Sequence, residues 1–223
     1  MPVESFSNGE IFCLIIFFTV VLIAREILTF RNRIFFKYLL TPVVTLSVIL
    51  ISFTAIPDSS EPVFSSLIFW GLLLSLVADV LLMIVEVRML LHGLVFFLLA
   101  HVLYICAFAT RYEFSATQLV FVPVIAAPMI LFFIKIRGKA GKMATPVLVY
   151  MSVISTMVFL AVAGAFDGSA GLRGYIGAAG AVLFLVSDAI LAFNEFYREI
   201  PHSTVWVWAV YAPAQMLLAL SCK

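Results

Sequence analysis

Charge is scarce in this chain. Only 11% of its 223 residues are Asp, Glu, Lys or Arg, and the formal net charge is +1. A soluble domain carries about 25% charged residues and about 45–50% apolar ones, whereas here the apolar set reaches 65%. A water-soluble globule of that composition would lack the polar surface it needs. No basic stripe is present, which argues against a nucleic-acid partner. Cysteine is also sparse. Cys13, Cys106 and Cys222 stand in or beside apolar runs at unrelated spacings, so neither a disulfide framework nor a thiolate metal site is indicated. Gly-x-Ser-x-Gly, His-Glu-x-x-His and Walker-type motifs are missing, and no metal or cofactor is expected. A basic flank before the first apolar run is missing too; Glu4 and Glu10 stand there instead. That run reads as a retained helix rather than a cleaved signal.

What the chain does have is apolar runs of the length that crosses about 30 Å of hydrocarbon as a helix. They are continuously apolar, unlike the alternating strands of a membrane barrel. The expected architecture is an all-α membrane protein, an eight-transmembrane-helix bundle forming one domain over residues 1–223. The expected helices are Glu10–Phe30, Phe35–Ile56, Val63–Val85, Leu90–Thr110, Ala116–Ile136, Thr145–Phe166, Arg173–Glu195 and Ser203–Ser221. Connections are short and carry turn residues at Pro57-Asp58, Gly138 with Gly141, Asp167-Gly168 and Pro201. With eight spans, Arg25, Arg31, Arg33, Lys37, Arg88, Lys135, Arg137, Lys139, Lys142 and Arg198 fall on one side, against Arg111, Arg173 and Lys223 on the other. The imbalance predicts that the first side is cytosolic and both termini are not.

A weak internal repeat links the third and seventh segments. One reads Gly71-Leu-Leu-Leu-Ser-Leu-Val-Ala-Asp79 and the other Gly180-Ala-Val-Leu-Phe-Leu-Val-Ser-Asp188, with Glu86 and Glu195 at matching offsets beyond. Two parallel four-helix halves would produce this pattern; so would chance similarity between two Leu/Val-rich segments.

Asp79 and Asp188 are carboxyls inside apolar spans, at similar depth in the cytosolic half. A charge at mid-span costs at least about 2.5–3.5 kcal/mol, so such groups usually face a bundle interior or a wet cavity. If the halves pack as pseudo-equivalents, both can face one cavity. The alternative is that each only glues helices. Gly93, Phe97, His101 and Tyr104 share a helical stripe, and His101 is either a proton partner of the carboxyls or a neutral interhelical bond. Tyr211 and Gln215 flank Pro213, which frees the Ala209 carbonyl and allows a kinked cavity wall. Ser75 and Ser187 flank the aspartates without any sign of being nucleophiles. Glu86, His92, Asn194 and Glu195 stand near helix ends, where most charges are simply solvated. Lys37 is the basic residue singled out as a phosphate contact.

At these residues the chain resembles the lysoplasmalogenase family of transmembrane proteins, also called YhhN-like. The matching stretches are Gly71-x-x-x-Ser75-x-x-x-Asp79 with Leu82, and His92-Gly93-x-x-x-Phe97-x-x-x-His101-x-x-Tyr104. In the second half they are Phe184-x-x-Ser187-Asp188-x-x-x-Ala192-x-Asn194-x-Phe196, and Tyr211-x-x-Ala214-Gln215 running to Ser221. The resemblance covers roughly Lys37 to Ser221. Two positions depart from the family pattern: Ala78 stands where Gly is frequent, and Tyr211 lacks a second adjacent Tyr.

The resemblance implies an eight-helix fold, two essential aspartates and, in an animal, an endoplasmic reticulum membrane. It also implies hydrolysis of the vinyl ether of lysoplasmalogens to a fatty aldehyde and glycerophospho-choline or -ethanolamine. The expected site is then Asp79 and Asp188 as catalytic acid and base, in an order the sequence leaves open. Lys37, His101, Tyr104, Ser187, Asn194, Tyr211 and Gln215 are the expected contacts of a lysophospholipid entering sideways from the bilayer. Two rival classes stay open: a proton-coupled transporter of a small solute or lipid, and a structural or regulatory membrane protein.

Overall fold

The computed structural model describes residues 8–57, 59–83, 89–166 and 171–223. Every regular element among them is helical. The α-helices are α1 Asn8–Phe30, α2 Ile34–Ala55, α3 Pro62–Met83, α4 Leu90–Ala109, α5 Phe121–Ala140, α6 Ala144–Phe166, α7 Gly171–Phe196 and α8 Ser203–Leu220. Glu4, Asp58, Glu86, Arg88, Asp167 and Gly168 lie outside the described residues, as does the expected end of the third helix at Val85.

The largest departure from the expected segments is around the fifth. Ala116–Val120 forms a 3-10 turn, and α5 continues through Gly138 to Ala140 instead of stopping at Ile136. The reversal is made at Gly141, whose φ of 54° lies in the left-handed region that a residue without Cβ enters freely. A short 3-10 turn, Gly141–Met143, then leads into α6. Among the described residues, seven stretches are long and apolar enough to cross a membrane. One of them, Ala116–Phe166, contains both α5 and α6.

The distribution of apolar side chains suits lipid rather than water as the solvent. On α1, Phe12, Ile16, Val20, Ile23 and Ile27 recur at three- and four-residue spacing and are all exposed. An outward stripe of that size on a soluble monomer would be an association site; in a bilayer it meets acyl chains. The inner face of α2 is polar instead. Thr41, Thr45, Ser47, Ser52 and Thr54 are buried there, where small hydroxyl-bearing side chains let helices approach and bond.

Helix neighbours follow chain order, with two closures. α3 packs on α4, α7 on α8, α2 beside α3 and α6 beside α7. α8 closes the bundle against α1, α2 and α3, and α4 closes it against α6. α5 sits at the margin against α6 and α7. Close approach is needed at two glycines. A Cβ at Gly71 would lie 2.2 Å from the Tyr104 ring, and one at Gly180 would lie 3.0 Å from the Ala214 carbonyl oxygen. Both glycines stand two turns before an aspartate, so they set how tightly α4 and α8 press on the two Asp-bearing helices.

The charge map needs one correction. Arg25, counted above among loop-side cations, is 1% exposed and turned into the bundle. Its long side chain has reached polar partners on α1 and α2 rather than water, because they stand closer than the membrane surface. Arg111 is likewise buried at the opposite end. It pairs with Glu61, stacks 3.3 Å over the Phe64 ring and donates to the Ser221 carbonyl at 3.0 Å.

Candidate active site

Asp79 on α3 and Asp188 on α7 stand the same number of residues beyond the first residue of their helices. Their surroundings differ. Asp188 keeps 11% of its side chain exposed and lines a narrow cleft between α4, α5, α6 and α7. The cleft is otherwise greasy near the carboxyl, with Leu94, Met129, Phe132, Met151 and Leu185 among its walls, and Glu195 stands at its far end. Tyr150 donates its phenolic hydrogen to Asp188 Oδ2 at 2.5 Å. His101 Nε2 stands 3.8 Å from the same oxygen. The other ring nitrogen of His101 donates to the Phe97 carbonyl at 2.6 Å. That bond leaves the Nε2 lone pair facing the carboxyl in the neutral ring.

Asp79 is 4% exposed and is not a wall of the cleft. Thr45 donates to its Oδ2 at 2.7 Å, and the Tyr211 phenol stands within interaction reach of it. Gln215, one turn along α8, donates through Nε2 to the Tyr211 hydroxyl. Arg25 lies within electrostatic reach of Asp79. Its guanidinium pairs with Glu26, donates to Thr41 at 3.2 Å and stacks 4.1 Å from the Trp208 ring.

The cleft that Asp188 lines is therefore not the shared hollow that the sequence suggested. The two carboxyls are coupled through the protein. Tyr211 lies within electrostatic reach of both, and Phe184 is the hub that orders the groups between them. This fully buried ring meets His101 at 4.7 Å, Tyr211 at 5.1 Å and Tyr104 at 6.2 Å, all edge to face. Edge-to-face packing fixes ring orientation as well as position. Tyr104 in turn shares a 3.2 Å hydrogen bond with Ser75. The Asp79 end is closed by these rings and the Asp188 end is left open.

Of the residues singled out from sequence, Asp79, Asp188, His101, Tyr104, Tyr211 and Gln215 come together here. Ser187 is buried beside Asp188 and turns its hydroxyl to the Phe184 carbonyl at 3.1 Å. Two residues stand elsewhere. The Asn194 side-chain oxygen accepts from the Ile200 backbone N–H at 2.8 Å, tying the end of α7 to the loop before α8. Lys37 is half-buried in a separate polar cleft with Arg33 and His202. Among the described residues, no group of three or more His, Cys, Asp or Glu side chains is placed to hold a metal ion.

Sequence reading passed over Thr45 and Tyr150, quoted Phe184 only as a motif position and counted Arg25 only for the charge bias. Arg25 and Glu26 carried a usable signal, since they interrupt an apolar run as Asp79 and Asp188 do, and the cost of mid-span charge applies to them equally. Thr45 and Tyr150 gave none, because a hydroxyl in an apolar helix marks function only once its partner is known.

Helices of this length and hydropathy, lipid-suited on the outside and polar within, define an integral, multi-pass membrane protein. The chain belongs to the YhhN family, whose sequence profile matches residues 32–222. Lysoplasmalogenase TMEM86A of Bos taurus is 34% identical over 156 residues, covering 69% of this chain and 64% of that protein. The Homo sapiens protein of the same name is 33% identical over the same shares. Lysoplasmalogenase TMEM86B of Homo sapiens is 32% identical over 58% of this chain and 52% of its own length. The chain thus spans under two thirds of the relatives it matches. No solved structure matches it.

Proposed function

We propose that this protein is a lysoplasmalogenase, an ether hydrolase that cleaves the vinyl ether of alkenyl-glycerophospho-choline or -ethanolamine to a fatty aldehyde and the glycerophospho-base. The observation that carries the reading is Asp188. It is a carboxyl set among apolar cleft walls, with Tyr150 and His101 on the same oxygen. The names of the relatives supply the substrate class. In this reading a single-chain lysolipid approaches the cleft from the bilayer, its tail along the apolar walls, which must part because only about 40 Å³ lies free between them, and its head group toward the end where Glu195 stands.

The chemistry needs one acid and one carboxylate, as glycosidases do. Asp188 gives its proton to the outer vinyl carbon, and the C=C electrons form that C–H bond. The adjacent carbon becomes an oxocarbenium centre, stabilised by the resulting carboxylate. Water adds there and loses a proton to the second carboxyl, Asp79, by way of the Tyr211 hydroxyl. The hemiacetal hydroxyl gives its proton to the Asp188 carboxylate as the C=O forms, the C–O bond to glycerol breaks, and the leaving oxygen takes the proton held by Asp79 through the Tyr211 hydroxyl, which restores both carboxyls. The cleft position of Asp188 favours it as the acid, and the Thr45 donor and nearby Arg25, which stabilise a carboxylate, favour Asp79 as the base.

The same proposal includes eight spans in one domain and two pseudo-equivalent halves. Its supports are the packing of α5 on α6 through Phe132, Phe133, Val147 and Met151, and the matched pairings α2–α3–α4 and α6–α7–α8. A crossed arrangement adds to this: His101 of the first half serves Asp188, and Tyr211 of the second serves Asp79. Non-cytosolic termini and an endoplasmic reticulum membrane, in an animal, complete it.

The test is aldehyde release by purified protein in detergent, with an alkenyl lysolipid beside its ester counterpart. Release from the alkenyl lipid alone is the expected result. Absence of aldehyde, with gradient-dependent uptake in sealed vesicles, would replace the hydrolase by the proton-coupled transporter.

A further inference from the structure

Hydrolysis consumes water, yet the cleft at Asp188 has mostly apolar walls. The opposite side of the pair is different. A polar cleft of about 270 Å³ opens between the end of α1 and the starts of α2 and α8, lined by Thr29, Asn32, Arg33, Lys37, His202 and Ser203. It is large enough for several water molecules. From Thr29 polar side chains recur inward along α1 and α2. Glu26 lies one turn back on the same face of α1 and pairs with Arg25. Arg25 donates to Thr41 at 3.2 Å. Thr41 and Thr45 are one turn apart on α2, both buried, and Thr45 donates to Asp79 at 2.7 Å.

Two atoms along this column are buried and have no hydrogen-bond partner in the protein: Thr29 Oγ1 and Glu26 Oε2. Their residues stand one turn apart on α1, and Thr29 lines the polar cleft. Buried polar atoms of this kind are normally satisfied by water. Helix gluing alone does not account for the arrangement, because apolar side chains would pack these helices without an ion pair inside the bundle.

We infer that water reaches the site separately from the lipid, through the polar cleft and along Thr29, Glu26, Arg25, Thr41 and Thr45 to Asp79. The inference rests on the hydrolase reading above and deepens it. Substrate arrives at Asp188 from the bilayer, and water arrives at Asp79 from the basic end of the bundle. Each water then passes the Tyr211 and Phe184 rings, which keep bulk solvent from the substrate, and adds at the carbon held by Asp188, its proton returning to Asp79 through the Tyr211 hydroxyl.

The experiment measures water access without relying on turnover. Thr45→Cys is placed in a background with Cys13, Cys106 and Cys222 changed to Ser, and the protein is exposed to a small, water-soluble methanethiosulfonate. Only a hydrated thiol ionises readily; its thiolate attacks the reagent sulfur, a mixed disulfide forms and methanesulfinate leaves. The reaction is run with and without a saturated alkyl-ether lysophosphocholine, which lacks the vinyl group and occupies the lipid cleft without reacting. The expected result is modification at equal rates in both conditions, and slower modification when Thr29→Val is added but not when Thr29→Ser is. An unreactive Cys at 45, or full protection by the ether lipid, overturns the inference. In the kinetic arm, Thr29→Val lowers kcat on the order of tenfold at unchanged KM, the pattern of a group used after substrate has bound. Thr29→Ser restores kcat, and loss of turnover in both variants overturns the inference. A wild-type protein that releases no aldehyde would defeat the hydrolase reading, and the thiol arm would still decide the water route.

Discussion

The Nε2 atom of His101 stands 3.8 Å from Oδ2 of Asp188. The Nδ1 hydrogen is engaged by the Phe97 carbonyl at 2.6 Å, so a neutral ring can only accept at Nε2. The gap is longer than a hydrogen bond and Nε2 has no partner among the described residues; in the proposed reaction the gap closes as the carboxyl's proton passes to the ring. Replacement by Gln, which keeps a polar end but cannot take up that proton, should lower kcat on the order of tenfold to a hundredfold, below the full range for losing a general acid. KM should hold within about twofold, because a neutral group deep in the bundle adds little uniform binding. Steady-state aldehyde release from His101→Gln checks this, and an unchanged kcat would remove His101 from the proton path.

Asp188→Asn and Asp79→Asn should each abolish most turnover, by roughly 10²–10⁴-fold. Asn is isosteric, so helix content by circular dichroism and elution in detergent should be unchanged. A variant that folds and keeps near wild-type kcat would end the two-carboxyl mechanism.

Tyr150→Phe removes the hydroxyl that donates to Asp188 at 2.5 Å and leaves the ring that meets His101 at 5.4 Å. A hydrogen bond to a charged group contributes about 1.5–3 kcal/mol, and a bond that strengthens as Asp188 becomes a carboxylate acts in the transition state. The expected change is a fall in kcat on the order of tenfold with thermal stability nearly intact. Thr45→Val should behave the same way from the Asp79 side.

Gly71→Ala places a Cβ where the Tyr104 ring lies 2.2 Å away. Both groups are enclosed by packed helices, so overpacking should cost about 1–3 kcal/mol and loosen the Tyr104–Ser75 bond. Thermal unfolding in detergent should shift downward. Gly138→Ala, where nothing lies within 4 Å of an added Cβ, should not destabilise and serves as the control.

Lys37→Ala should leave KM for the alkenyl lysolipid within about twofold, because Lys37 sits in the polar cleft and not in the one that Asp188 lines. Leu94→Trp, which fills that second cleft, should raise KM several-fold. Reversal of these two outcomes would move the lipid route to the other side of the bundle.

The helices were legible because each is a continuous apolar run, and hydropathy is a local property of the chain. Asp79 and Asp188 were legible for the complementary reason: a charge in such a run is costly wherever the helix packs. The same rule applies to Arg25 and Glu26, but Arg25 was counted only for the charge bias between the two sides and Glu26 was not singled out at all. What the residues do to one another was not legible. Tyr150 is one hydroxyl among many in apolar helices, and only the contact between α6 and α7 brings it to Asp188. Lys37 had the right charge for a phosphate and the wrong place in the bundle.

By itself the sequence determined that this protein lives in a bilayer as helices, and that two carboxyls must be kept from lipid. Backbone hydrogen bonding and hydrocarbon solvation act residue by residue, so they can be read along the chain. Tertiary structure alone decided that Asp188 faces a lipid-suited cleft while Asp79 lies behind Tyr211 and Thr45. That division depends on which helices touch, and side chains brought together from α2, α4, α6 and α8 leave no trace of their distances in the order of residues.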